Sequence, residues 1–277
     1  MEIYKNNSIL HLSQSTLTRG GFLNLDLFYG LLNTSILGRE AGFTPCTQST
    51  NRDIRELMGG LSDGYVLFAG VQTAGRGRLG RQWLCGGLGE SLMFSLLLKR
   101  ALPELPPISL TAGLSVSEAL SELYGVEIFV KWPNDIICGM YKICGISVEI
   151  KNNCCIVGIG VNISQPSDFF RQNGLENASS LLLQTDKIFT LETVAAHIIN
   201  RFEQNLFLKP ENILDRYRLR CLTLGMDIKI ISEKNSLIGK AVGIDKKGAL
   251  LADVGGQVIT VNSGEISIRP TARNGYV

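Results

Sequence analysis

A chain of 277 residues, 45% apolar and 19% charged, can bury a full core and carry a smaller second domain. A net charge of +2 supplies no general basic field, so any anion site must be local, and no apolar run is long enough to span a membrane. Seven scattered cysteines without a Cys-x-x-Cys pair argue against a disulfide scaffold and fit free, packed thiols in a reducing compartment.

The first twenty residues are rich in Ser and Thr, with Glu2, Lys5 and Arg19 as their only charges. They lack the Arg-rich amphipathic helix of a transit peptide. A disordered lead-in and a cytoplasmic location are expected, with organellar targeting left open. Residues 22–36 mix apolar and polar positions and fit helix or strand equally. After Ser49-Thr50-Asn51 a short polar helix is predicted through Met58, ended by Gly59-Gly60. Residues 65–71 read as a buried strand running into a Gly/Arg loop. Residues 91–98 read as another, followed by a connection with Pro103, Pro106 and Pro107. Leu110, Leu114, Val116, Leu120 and Leu123 recur at helical spacing over 108–124, and Gly125 closes that helix.

Residues 126–132 form a β-rich run stopped by Pro133, and 143–150 pair with 154–163 as a hairpin across Lys151-Asn152-Asn153. Helices are predicted over 190–207, opening at Thr190 with Glu192 and Glu203 on its polar side, and over 211–222. From Met226 short strands alternate with Asp245-Lys246-Lys247-Gly248, Gly255-Gly256 and Ser263-Gly264, the pattern of a small all-β barrel. The expected organisation is a partly disordered extension (1–48), a mixed catalytic domain (49–224) and a β module (225–277).

Chemistry concentrates in two segments. Residues 75–90 hold six glycines, three arginines (Arg76, Arg78, Arg81) and one acid, Glu90. Guanidinium forks among residues that admit close backbone approach suit a phosphate. Gly75, Gly77 and Gly80 match the Gly-x-Gly-x-x-Gly spacing, a weak signal alone. No Gly-Lys-Ser/Thr follows, so this is not a Walker loop, and charge inside the loop suits a triphosphate or reactive phosphate ester better than a dinucleotide. The loop is expected to stay mobile until ligand fills it.

The second segment, Lys131-Trp132-Pro133-Asn134-Asp135, places a carboxylate at the end of a buried strand, with Lys142 seven residues on. A lysine entering a buried hairpin beside a carboxylate can neutralise a carboxyl or phosphoryl oxygen in a transition state. His11 and His197 lie far from both segments, which leaves a Ser–His or Cys–His hydrolase unsupported. Cys144 reads as a packed strand residue rather than a nucleophile, and Cys138 with Cys144 has no histidine nearby to complete a metal site. Gly158 and Gly160 mark close approach of a backbone or ligand, and Asn162 carries the donor and acceptor that an adenine edge requires. From residues alone the chain is a nucleotide-dependent transferase or ligase without a metal cage of its own.

Gly75-Arg76-Gly77-Arg78-Leu79-Gly80-Arg81-Gln82-Trp83, Lys131-Trp132-Pro133-Asn134-Asp135, Lys142 with Gly145-Ile146, Gly158-x-Gly160-x-Asn162 and Gly264-Glu265-Ile266-Ser267 resemble, in order and spacing, the signatures of biotin–protein ligases. The resemblance runs from about Ser49 to Arg269. It implies an α+β fold, a mixed sheet flanked by helices of the class II synthetase-like kind with a small C-terminal SH3-like β-barrel. It implies biotin and Mg-ATP as substrates, a biotinyl-5′-adenylate, and transfer to a lysine of a biotin carrier domain of acetyl-CoA carboxylase or a related carboxylase.

Carried over by position, Ser49, Thr50, Asn51, Gln72, Gly75, Arg76, Lys142 and Gly145 would bind biotin. Arg76, Gly77, Arg78, Arg81, Trp83, Asn134, Lys142 and Asn162 would bind ATP or the adenylate. Lys142, Asp135 and Arg78 would be catalytic: Lys142 bridging biotin carbonyl and α-phosphate, Asp135 positioning or deprotonating the incoming lysine, Arg78 retaining the intermediate. The C-terminal module with Lys247 and Arg269 would close over ATP and the acceptor.

Some members of that family carry a DNA-binding winged helix. Here the 48 residues before Ser49 balance Lys5, Arg19 and Arg39 against Glu2, Asp26 and Glu40, and no DNA binding is expected. A homodimer is left open. Lipoate ligases and octanoyltransferases, and a non-catalytic biotin-adenylate sensor, are the rival readings. The Arg-bearing loop argues against the first, and the joint presence of Asp135 and Lys142 against the second.

Overall fold

The computed structural model describes residues 23–77, 80–99, 107–231 and 236–262, with the backbone of residues 267–270. Its larger unit is a seven-stranded mixed sheet. The order is β1 (Ala41–Thr47), β2 (Val66–Gln72), β3 (Ser91–Leu98), β7 (Cys154–Asn162), β6 (Tyr141–Lys151), β5 (Asp135–Cys138), β4 (Ile128–Lys131). The β1–β2 pair is parallel and the other neighbours are antiparallel.

Both faces of the central strands are covered. On one side α3 (Ile108–Tyr124) packs on β4, β5 and β6, flanked by α6 (Leu191–Leu206) and α7 (Pro210–Arg220), and α1 (Leu25–Leu31) packs on α6; the short helices α4 (Ser167–Gln172) and α5 (Leu181–Thr185) lie between β7 and α6 in the chain. Leu92, Phe94, Leu96, Val157, Ile159 and Val161 point into this main core. On the other side α2 (Thr50–Leu57) sets Ile54 against Leu67, Leu97 and Ile156. A strand covered on both faces needs no polar alternation, which is why 65–71 and 91–98 read as predominantly apolar runs.

The ambiguous segment 22–36 contains a helix, because the Asn24 side chain accepts from the N–H groups of Asp26 and Leu27 and opens α1. Ala41–Thr47, within the expected extension, is instead a strand of the larger sheet, because it pairs in parallel with β2. Glu192 and Glu203, expected on a polar face of α6, are both buried. Glu192 accepts from Asn24 N (2.6 Å), and Glu203 accepts from Ser35, Ile36 (2.9 Å) and Leu37 (2.7 Å) N–H groups. Glu192 thus satisfies one backbone donor of the N-terminal segment and Glu203 three, that of Leu37 buried and the others partly so. Glu203→Ala orphans three of them and is expected to cost about 3 kcal/mol in urea-induced unfolding. A midpoint equal to wild type would remove that role.

A five-stranded antiparallel sheet forms the SH3-like C-terminal part, in the order β11 (Gln257–Val261), β10 (Leu250–Val254), β9 (Ser236–Ile244), β8 (Asp227–Ile231), β12 (Ser267–Pro270). It is tied to the larger unit at the β4–β5 turn. Buried Trp132 donates its Nε1–H to Gly248 O (3.0 Å) and its backbone N–H to Thr223 Oγ1 (2.9 Å). Among the described residues no helix is long and apolar enough to cross a membrane.

Candidate active site

Beside the apolar patch under α2, the same face of the sheet carries small residues along β6 and β7. Along β7 the residues alternate, so Val157, Ile159 and Val161 enter the core while Gly158, Gly160 and Asn162 face outward. Their partners on β6 are Ser147 opposite Gly158 and Gly145 opposite Gly160. A cavity of about 290 Å³ stands over this strip. Ser49, Thr50, Asn51 and Gln72 line one part of it, and Arg76, Gly77, Arg81 and Trp83 line another. Lys131, Asn134, Asp135, Lys142, Gly145 and Asn162 are also on its wall.

Lys142 reaches the cavity through a β-bulge. Asp135 pairs with Gly145 and Ile136 with Cys144, but Ile137 pairs with Lys142, so Ile143 is the extra residue. Consecutive Ile143 and Cys144 are both buried in the main core. In regular register Lys142 would share the face of Cys144. The inserted residue turns it to the cavity instead. Its Nζ lies 2.6 Å from Asp135 Oδ1 and 5.6 Å from the centroid of the Trp83 ring. Its backbone is held by Asn177 O and Ser179 N (2.9 and 3.0 Å). Asp135, expected at a strand end, begins β5 after a tight turn through Trp132, Pro133 and Asn134. Four residues from Asp135 to Cys138, closed by Gly139 in the left-handed region, are too short to show a pattern.

The Gly/Arg loop folds back on itself. Gly75 O accepts from Trp83 N (2.9 Å), Arg76 pairs with Gln82, and Gly77 donates to Arg81 O (2.7 Å). A Cβ at position 75 would lie 2.7 Å from Trp83 O, so the two arms meet only because glycine stands there. Arg78, expected to be catalytic, lies outside the described residues. The loop ends in Trp83, whose indole lies on Gly160 and Gly145: Cβ atoms there would sit 2.6 and 2.8 Å from its ring. Its buried Nε1–H has no partner among the described residues.

The remaining expected residues divide. Thr50, Asn51 and Gln72 are joined by hydrogen bonds at one end of the cavity. Gly75 adjoins the cavity through Gln72 and Trp83. Asn134 donates its amide to Ile146 O (2.9 Å), locking the turn onto β6. Asn162 donates to Ser179 O (3.0 Å) and accepts from Gln165 Nε2 (3.1 Å), which leaves its second amide hydrogen for a ligand. Sequence reasoning missed Ser95, Ser147 and Glu149, which hydrogen bond to Thr50 or Asn51, and the apolar wall of Phe169, Phe170 and Leu175. Cys144 is fully buried, and burial pushes its thiol up, away from the thiolate a nucleophile needs.

The model of the Biotin/lipoate A/B protein ligase family matches residues 43–162, and that of the Biotin protein ligase C terminal domain matches residues 223–269. The Biotin--[acetyl-CoA-carboxylase] ligase of Mycobacterium tuberculosis is 31% identical over 235 residues, which cover 79% of this chain and 85% of that protein. The chain belongs to the biotin protein ligase family. The Bifunctional ligase/repressor BirA of Escherichia coli is 30% identical, covering 84% of this chain and 75% of BirA. Among solved structures, the biotin protein ligase of Aquifex aeolicus in complex with biotin and ATP superimposes with a TM-score of 0.74 at 31% identity. That match covers 84% of this chain and all of the other.

Proposed function

We propose that the protein is an ATP-dependent biotin–protein ligase acting in two steps. A biotin carboxylate oxygen attacks the α-phosphorus of ATP, forming biotinyl-5′-AMP as the bond to pyrophosphate breaks. The neutral amine of an acceptor lysine then attacks the acyl carbon, and AMP leaves with the electron pair of the acyl C–O bond. The acceptor is a biotin carrier domain of a carboxylase. Mg²⁺ enters with ATP as part of the substrate.

The observation that carries this reading is one cavity with a polar end at Thr50, Asn51 and Gln72, a lysine–carboxylate pair and an arginine-bearing rim. In it Ser49, Thr50, Asn51, Gln72 and Gly75 hold the biotin head, and Lys142 bridges carboxylate and α-phosphate. Arg76, Arg78 and Arg81 meet the phosphates, and Trp83 and Asn162 take the adenylate. Asp135, released from Lys142 as that cation turns to the phosphate, orients the acceptor amine, which is mostly protonated at neutral pH and needs a base. Residues 23–224, with α1 and β1 included, are the adenylating unit, and the five-stranded sheet that starts at Asp227 is the module that closes on it.

Purified protein, Mg-ATP and a biotin carrier domain, with biotin or lipoate, test the reading by intact acceptor mass. A biotin-sized gain on one lysine is expected. A lipoyl gain, or bound adenylate with no transfer, would replace it with one of the rival readings.

A further inference from the structure

Ser95 is wholly buried, sits in the apolar strand β3 and is not on the cavity wall. Even so, it joins two residues that are. Its Oγ lies 2.6 Å from Thr50 Oγ1 and 2.5 Å from Asn51 Oδ1. The direction of these bonds is fixed from outside the cavity. Asn51 Nδ2 lies 2.8 Å from Glu149 Oε1, and Glu149 also pairs with Arg55 (3.5 Å). A carboxylate can only accept, so the amino end of Asn51 must face it and Oδ1 must face Ser95. Ser95 has one hydrogen and gives it to Oδ1. The Thr50 hydroxyl, at 2.6 Å, must therefore donate to Ser95. It cannot also donate to Gln72 Oε1, at the longer distance of 3.2 Å.

Gln72 is fixed in the same way. Its Oε1 accepts from the backbone N–H of Thr50 (2.8 Å), which leaves its Nε2 hydrogens to the cavity. The wall thus offers an acceptor, Thr50 Oγ1, beside a donor, Gln72 Nε2.

We propose that Ser95, its direction set by Glu149 through Asn51, is a positioning residue that makes Thr50 an obligate acceptor and so selects a ligand edge reading N–H beside C=O. A cyclic urea has that edge, and a lipoyl or fatty-acyl chain does not. The inference rests on the biotin reading above and deepens it.

The test measures biotin-dependent ATP–pyrophosphate exchange in the full-length protein and in Ser95→Ala and Glu149→Gln. In Ser95→Ala the Thr50 hydrogen is free to turn to Gln72, and Asn51 Oδ1 loses its donor. KM for biotin and for desthiobiotin, which keeps the urea, should rise about tenfold, with kcat within about twofold and KM for ATP unchanged. Octanoate-dependent exchange, which uses no urea contact, should be the same in both proteins. Glu149→Gln, at a more exposed position, lets Asn51 flip and should raise only the biotin KM, by about threefold; it decides the matter if Ser95→Ala does not fold. A biotin KM within twofold of wild type in the folded variants would overturn the inference. So would losses shared equally by biotin, ATP and octanoate. A wild-type protein without biotin-dependent exchange would instead remove the ligase reading on which it rests.

Discussion

Lys142→Ala is expected to lower biotin-dependent pyrophosphate exchange by about 10²- to 10³-fold, the range for removing one preorganised group aimed at developing charge. The geometry accounts for a large effect. The bulge at Ile143 holds Lys142 on the cavity face, and its backbone is clasped by Asn177 and Ser179, so the ammonium needs little reorganisation to reach a phosphate. Its present partner, Asp135, is 2.6 Å away and 28% exposed. Water can therefore reach the carboxylate once the lysine is gone, and thermal unfolding should shift by only a few degrees. Lys142→Arg keeps the charge but spreads it over a longer planar group, and should recover only part of the rate. Exchange within threefold of wild type, in a folded Lys142→Ala protein, would exclude Lys142 from the chemistry.

How much of this was legible in the sequence depends on how each residue signals its place. Glycines and arginines mark a loop locally, so residues 75–83 announced themselves. The helix over 108–124 was legible because its apolar positions recur over several turns and Gly125 ends it with φ +68°. The bulge that aims Lys142 was not. It is visible only as two consecutive core residues, Ile143 and Cys144, where an alternating strand should have one, and a buried strand hides that break. Ser95 was hidden for the same reason: one hydroxyl in an apolar run looks like a tolerated interruption until Thr50 and Asn51 are brought against it from α2. Glu192 and Glu203 misled through composition. Acids on a helix are normally solvated, and only the packing of α1 and residues 35–37 on α6 turns these two into buried acceptors. What the sequence hid was pairing between distant segments; what it displayed was local conformation.

Gly158 and Gly160 show the same division, and Gly160 carries the second large prediction. Their spacing indicated close approach without saying of what. The structure supplies one occupant for Gly160, the Trp83 indole. Gly160 lies mid-sheet, paired on both sides to Met93 and Gly145, so its backbone cannot retreat. Trp83 lies at the end of a loop held across its base by three short contacts, so the indole must give way. Gly160→Ala places a Cβ 2.6 Å from the ring, lifts Trp83 off the floor, and separates it from the Lys142 ammonium it faces at 5.6 Å. Fold stability should change little, because the strand and its pairs are untouched. Adenylation kcat/KM should fall about 100-fold, roughly 2.7 kcal/mol of transition-state stabilisation. A double-mutant cycle with Trp83→Ala separates the two causes. If Gly160 serves by seating Trp83, the double variant should be no worse than the poorer single one, because the clash disappears with the ring. If the two losses add, the added methyl acts on the substrate directly, and the seat for the indole is not what the glycine provides.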